Sequence, residues 1–482
     1  MNDDIKPQPA ISEDEATLQR MGYEQELARR MSGFSNYAIS LSIICILAGG
    51  ITSFHVGFCS VGGAAIGIGW PVSCLLSLVV AATMAQVASA FPTAGGLYHW
   101  ASILGGRGWG WMTGWLNLIG LVTVVAAVNA GAWDFIVGAF AVNASAAAKI
   151  VGVSLMTFSH AILNHKGIRL TTRLTDFSGW LILVVAIALT VAMLCYAGGF
   201  DFARLVTFTN YSGPRGATVF PPVESLVWLF ALGLMLPAYT ITGFDASAHT
   251  SEETLGASLN VPKGIVRSVL VSGIFGWVML CAIVLAVPKM SDAAAQGTNV
   301  FYWTMNSVLP RPLAAALYVG IGLTQYFCGL AALTSASRMG FAFARDGGLP
   351  ALLRRVSPRS RTPSAAIWAV AVLAVLFIAC VPYTTIAAVC VIFLYLSYVL
   401  PSVAGFFAHG RSWTTMGPWQ LGRWYRPLAV VSALFCLFLI VIGVQPPNDQ
   451  AVRIVGGALA VLAVAWFAVE RKRFRGPPQI RA

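Results

Sequence analysis

The chain has 482 residues, of which 57% are hydrophobic and only 10% charged, with a mean hydropathy of +0.76. That balance excludes an ordinary water-facing surface and makes lipid the main solvent. The formal net charge of +12 does not point to nucleic acid, because basic clusters between apolar runs follow from the positive-inside rule and no recognition motif accompanies them.

Residues 1–35 carry acids, bases and prolines without an apolar core, and are expected to form a partly disordered cytoplasmic tail. Apolar runs of membrane-spanning length then follow near Tyr37–Gly57, Ala64–Ala90, Gly110–Phe140, Lys149–Leu163, Phe177–Gly198 and Val223–Ala248. A second set lies near Gly264–Val287, Leu313–Ala344, Ala365–Val381, Thr385–Ala408, Pro427–Val444 and Val452–Val469. Residues 36–470 therefore read as one all-α polytopic domain with about twelve transmembrane helices, and 471–482 as a basic cytoplasmic tail. With the amino terminus inside, cytoplasmic segments hold about 24 of the 30 Lys and Arg residues, which places both termini on the cytoplasmic side of a cell membrane, plasma or bacterial inner. The nine cysteines are scattered, mostly within apolar runs, and form neither a disulfide framework nor a metal motif.

A helix can break inside a bilayer only where its freed backbone groups face a cavity, an ion or a ligand. The first span is interrupted at Ala48-Gly49-Gly50-Ile51-Thr52-Ser53 and the sixth at Pro237-Ala238-Tyr239-Thr240-Ile241-Thr242-Gly243. Interruptions five spans apart suit an inverted repeat of five helices around a central site. Close packing through small residues is the plainer explanation of either one alone.

Three segments carry a family resemblance. Phe91-Pro92-Thr93-Ala94-Gly95-Gly96-Leu97-Tyr98-His99-Trp100 follows the second span, Gly243-Phe244-Asp245-Ala246-Ser247-Ala248-His249-Thr250-Ser251-Glu252-Glu253 ends the sixth, and Ser337-Arg338 to Gly348-Leu349-Pro350 ends the eighth. Together they resemble the amino acid, polyamine and organocation transporter superfamily, closest to its amino acid and choline branch, over nearly the whole chain after residue 31. That branch includes carriers of 4-aminobutyrate, choline and general amino acids. The resemblance implies a five-plus-five inverted repeat with helices one and six discontinuous, peripheral last helices, and alternating access without covalent chemistry or a cofactor. Residue by residue, it implies that Ala48, Gly49, Gly50 and Ile51 offer N–H groups to a substrate carboxylate. Carbonyls near Ile44, Cys45, Pro237, Tyr239 and Thr240 would receive the ammonium, with Tyr239, four residues before Gly243, as a gate or a packing residue.

Asp245 and His249 stand four residues apart on one helix face, as a proton relay or gate or as a local structural pair. Glu252 and Glu253 fall just inside the cytoplasm, for gating, for a network with Lys263, Arg338 or Arg345, or as solvated charge. The coupling ion, H+ or Na+, stays open. Phe177–Gly198 lacks the lysine that some relatives are thought to use, whereas Thr334 and Ser335 offer hydroxyls to sodium. Neither a P-loop nor an HExxH motif is present, and no nucleophile, base and metal constellation suggests an enzyme. The chain thus reads as a secondary-active carrier of 4-aminobutyrate or a similar small amino acid. A choline or polyamine carrier and a non-transporting nutrient sensor are the alternatives.

Overall fold

A computed structural model of the chain describes residues 12–381 and 383–478, and among them every regular element is a helix. Among the described residues ten helices are long and apolar enough to cross a bilayer, and two shorter ones, Leu226–Thr240 and Ser364–Cys380, bring the count to the expected twelve. After α1 (Glu13–Arg20), the first span comes in three pieces, α2 (Gly33–Ile44), α3 (Gly49–Thr52) and α4 (Phe54–Val61). The second span is α5 (Trp70–Ala90), followed by the short α6 (Leu97–Gly105). Helices α7 (Arg107–Ala139), α8 (Ala146–His165) and α9 (Ile168–Tyr196) are the third to fifth spans. The sixth is again in pieces, α10 (Leu226–Gly233), α11 (Met235–Thr240) and α12 (Ala246–His249), and the seventh is α13 (Ala257–Ala286). Two connecting helices, α14 (Met290–Ala294) and α15 (Val300–Val308), lead to the eighth span, α16 (Arg311–Arg345). The last four spans are α17 (Ser364–Cys380), α18 (Tyr383–Ala408), α19 (Tyr425–Gly443) and α20 (Gln450–Ala465).

Burial ranks these spans by depth. The most apolar stretch of the first is 89% buried inside the protein, whereas those of the eleventh and twelfth are 39% and 11% buried. The broken first span therefore runs through the centre, and the last two sit at the periphery with Leu434, Val461 and Val464 turned outward to lipid.

Both breaks fall a few residues away from where composition places them. In the first span α2 stops at Ile44, Cys45 takes a φ of 22°, and the helix resumes at Gly49, so the wider break is residues 45–48, with a second, one-residue interruption at Ser53, and the paired glycines open the short turn between the two. In the sixth span Pro237 accompanies only the one-residue interruption at Leu234 between α10 and α11. It occupies the first turn of α11, where an N–H would have no intrahelical partner. The break comes at 241–245, turned by Gly243 at a φ of 83°, where a Cβ would collide with the Ile43 side chain.

Residues 12–32, expected within a partly disordered tail, are packed against one face of the bundle. Ser12 caps α1 by accepting the Glu15 N–H at 3.2 Å, and the Asp14 carboxylate accepts the N–H groups of Gly256 and Ala257 at 2.8 and 2.9 Å, capping α13. The other chain end meets the same face, since the Phe474 ring lies 6.3 Å from Tyr98 and 6.0 Å from Phe343. Residues 1–11 and 479–482 lie outside the described residues.

Candidate functional site

The two breaks lie side by side. A Cβ built on Gly49 would come within 2.8 Å of the Thr240 Cα, so the resumed first span and the end of α11 touch backbone to backbone. Beside them is a small cavity of about 20 Å³, walled by Ile43, Ile44, Ala48, Gly49 and Thr52 of the first span and by Tyr239 and Thr242 of the sixth. Val124 to Ala132 on α7, Gln325 and Cys328 on α16, and Cys390 on α18 complete the wall, and none of the lining side chains is charged.

The hydrogen bonds decide which backbone groups remain open. The Cys45 carbonyl accepts the N–H groups of both Ala48 (2.7 Å) and Gly49 (3.0 Å), which removes three groups from the expected ligand set. The N–H groups of Gly50 and Ile51 have no acceptor among the described hydrogen bonds, and helix geometry points them back toward the break. On the acceptor side the Pro237 carbonyl is taken by the Ile241 N–H at 2.7 Å, while the carbonyls of Ile44 and Thr240 accept nothing among the described bonds. Gly243 donates its N–H to the Tyr398 hydroxyl at 3.2 Å. Tyr239 lines this cavity and also a larger one of about 220 Å³ that reaches, past His55 and Phe220, to Gln445–Asn448 on the face opposite the chain ends.

Toward the chain ends the cavity is closed by buried charge. Asp245 accepts from Asn117 Nδ2 (3.1 Å) and the Tyr398 hydroxyl (2.8 Å), and meets His249 Nε2 at 3.2 Å. The other ring nitrogen of His249 faces the Ala94 carbonyl at 3.1 Å, and since a carbonyl only accepts, that nitrogen carries a proton. The Asp245 contact then needs a second proton, on the imidazole or on the carboxyl. Beneath this pair, Glu252 accepts both terminal nitrogens of Arg345 (2.8 and 3.0 Å) and the Ala94 N–H (3.1 Å). Glu253 takes Arg338 through Nε at 2.8 Å and Nη2 at 3.1 Å. Asp346 accepts the hydroxyls of Tyr23 (2.8 Å) and Tyr98 (2.9 Å) and meets His99 Nε2 at 2.8 Å. Burial alone would raise the Glu252 and Asp346 carboxyls, but Arg345 at Glu252, and His99 with Arg345 at Asp346, hold both below the usual carboxylate range.

All three recognised segments thus converge on one network. The amino acid permease pattern matches residues 31–469. The chain belongs to the amino acid permease family. The permease is 30% identical to the amino-acid permease BAT1 homolog of Oryza sativa subsp. japonica, over 96% of this chain and 95% of that one. It is 29% identical to amino-acid permease BAT1 of Arabidopsis thaliana over 97% of both chains, and 27% identical to the GABA-specific permease of Saccharomyces cerevisiae over 96% of this chain and 86% of that one. It is a multi-pass membrane transport protein.

Of the acidic pair, neither member is solvated surface charge: Glu252 and Glu253 are both fully buried and paired with arginines of α16, and among the described ion pairs Lys263 takes no part. The two hydroxyls proposed for sodium differ. Thr334 Oγ1 lies 2.8 Å from both Asn164 Oδ1 and the Leu330 carbonyl, one of which takes its single proton, whereas Ser335 Oγ is buried without a partner. Asn117, Tyr398, His99 and Asp346 complete the closing network and were not singled out by composition. The signal for Asn117 and Tyr398 was available, since each is a polar side chain inside an apolar run.

Proposed function

We propose that this permease is a secondary-active carrier of small amino acids, with 4-aminobutyrate as the lead substrate, working by alternating access and leaving its cargo chemically unchanged. The observation that carries this is the pairing, at two helix breaks around an uncharged cavity, of open N–H donors at Gly50 and Ile51 with open carbonyls at Ile44 and Thr240. A zwitterion brings both complementary charges, so the cavity needs none of its own. The GABA-specific relative supports the choice of lead substrate. A choline carrier would need an aromatic cage, yet of Phe54, Tyr239, Phe244, Tyr326 and Phe327 only Tyr239 lines the cavity.

In this reading the cavity opens past Tyr239 to the outer face while the Asp245 to Asp346 network closes the cytoplasmic one, and the two tails stay in the cytoplasm of a cell membrane. The double demand for protons at Asp245 and His249 favours H+ as the coupling ion. Because Thr334 spends its one hydroxyl proton on Asn164 Oδ1 or the Leu330 carbonyl but keeps its lone pairs, sodium at Thr334 and Ser335 is the competing assignment. The test is uptake into vesicles holding only this protein, with labelled 4-aminobutyrate, alanine, glutamate, lysine and choline, under an imposed proton or sodium gradient. Concentrative or exchange uptake of a neutral amino acid is expected, and binding without flux across the panel would turn the reading toward a sensor.

A further inference from the structure

We propose that Cys45 and Cys328 form an oxidative modification site, at which a peroxide converts the two thiols to a disulfide that ties the break of the first span to the eighth span and stops transport. The pairing of the thiols stands on its own, and only the effect on transport rests on the carrier reading above.

All nine cysteines are free, and these two are fully buried. Cys45 opens the first break with a φ of 22°, so it is the residue on which that span changes direction. Cys328 lies on α16. The two thiols hydrogen-bond to one another. Each also reaches the backbone beside its partner: Cys45 Sγ points to the Thr324 carbonyl at 3.8 Å, one turn before Cys328, and Cys328 Sγ to the Ile43 carbonyl at 3.2 Å, two residues before Cys45. Apolar surroundings explain a single buried cysteine, which packs as a small hydrophobe, but not two thiols turned toward each other across a helix break. Sulfurs in contact on neighbouring segments are the juxtaposition from which a disulfide starts.

Buried thiols are inert where nothing reaches them. Cys328, however, lines the small central cavity, whose volume of about 20 Å³ is room for a water-sized molecule. Thr52 and Tyr239 border both this cavity and the larger one that leads to the outer face. Hydrogen peroxide is neutral and little larger than water. At Cys45 the sulfur faces the N–H of Leu47 and that of Ala48, which it shares with the Cys45 carbonyl, and N–H donors at a helix break are surroundings in which cysteines react.

In the first step the Cys328 sulfur attacks one peroxide oxygen. The O–O bond breaks, an S–O bond forms, and the departing hydroxide takes the thiol proton to become water, leaving a sulfenic acid. The Cys45 sulfur then displaces the hydroxyl, which leaves as water with the Cys45 proton as the S–S bond closes. Both sulfurs are oxidised and both peroxide oxygens reduced. A span that must turn at Cys45 to open one face and close the other is then held to α16 in a single arrangement.

The full chain in vesicles is treated with hydrogen peroxide, its remaining thiols are alkylated, and its peptides are identified by mass after digestion without reductant. The expected product is a peptide pair joined through Cys45 and Cys328, lighter by the two thiol hydrogens, with amino-acid uptake lost in proportion to the linked fraction. In Cys328→Ala the link should be absent, and peroxide should remove a smaller share of that variant's own untreated uptake. Cys195→Ser combined with Cys380→Ser deletes the two exposed thiols and should lose the same share as the wild-type protein. Oxidation confined to Cys195 and Cys380, or a link from Cys328 to Cys390, the other thiol on the cavity wall besides Cys328, would overturn the site. A Cys45–Cys328 link that leaves uptake intact would overturn the block on transport. Absence of uptake by the untreated protein would instead overturn the carrier reading, with the disulfide still decided by the peptide masses. Should Cys328→Ala fail to fold, the masses from the wild-type protein decide the site alone.

Discussion

Arg338 and Glu253 face each other through two hydrogen bonds of 2.8 and 3.1 Å, with both side chains fully buried. The same glutamate turns its backbone carbonyl to the N–H groups of Arg30 and Met31, each at 2.8 Å, so the eighth span, the end of the sixth and the amino-terminal segment are joined at one residue. Glu253→Gln leaves a guanidinium without a counter-charge where water cannot reach it. The expected cost is about 3–5 kcal/mol, read as a lower melting temperature in detergent. Adding Arg338→Met should restore much of the loss, because an apolar pair of similar volume leaves no buried charge unmatched. A double variant as unstable as the single one would show that the pair matters for something other than its charge.

The neighbouring carboxylates predict how this closure responds to acid. Glu252 and Asp346 are both held below their ordinary range, the first by Arg345 and the second by His99 and Arg345, in each case against burial that would raise them. A lowered carboxylate contributes stability that is present above its ordinary value, about 4, and is lost as pH falls through the lowered one. The difference in melting temperature between the wild-type protein and Glu252→Gln should therefore stay constant from pH 5 to 8 and shrink only below about pH 4. A difference that already narrows near neutral pH would contradict the assignment.

Sequence carried the spans well and their interiors less well. Apolar run length located α16 and α18 closely because lipid allows few alternatives to a continuous helix. The breaks were visible as composition but displaced. Glycine and proline announce a weakened helix, whereas the residue that leaves helical geometry in the first span is Cys45, whose side chain carries no such signature. Glu252 and Glu253 were legible as an acidic pair, yet burial or solvation could not be chosen, because their arginines lie 93 and 85 residues away along the chain.

The two glycines of the first span should behave differently under substitution. A Cβ on Gly49 would stand 2.8 Å from the Thr240 Cα, a backbone atom that cannot give way without separating the two broken spans. A Cβ on Gly50 finds nothing closer than Leu280 at 3.8 Å, an ordinary contact. Gly49→Ala is expected to abolish uptake or reduce it more than tenfold, while Gly50→Ala retains uptake within about threefold; overpacking a tight contact costs about 1–3 kcal/mol. Vesicle uptake normalised to folded protein checks both. Equal loss at the two positions would mean that flexibility of the pair, and not the close approach of Gly49 to Thr240, is what transport requires.

The last prediction concerns the proton held between the sixth span and its neighbours. His249 is pinned by the Ala94 carbonyl on one side and Asp245 on the other, and Asp245 in turn by Asn117 and Tyr398. Neither the Ala94 carbonyl nor the Asn117 amide can give up or take on a proton in place of the pair. A proton that leaves the pair turns its 3.2 Å contact into a meeting of two acceptors, which favours separation of α12 from its neighbours. Opening of the inner face and release of the proton would then be one event. His249→Gln keeps a neutral side chain of similar reach that cannot gain or lose a proton, so it should uncouple the two. Stimulation of uptake by an inward proton gradient is expected to disappear in that variant, while exchange of labelled for unlabelled substrate, which needs no net proton movement, persists. If the gradient still stimulates His249→Gln as it does the wild-type protein, the proton is carried elsewhere and the pair is a structural latch.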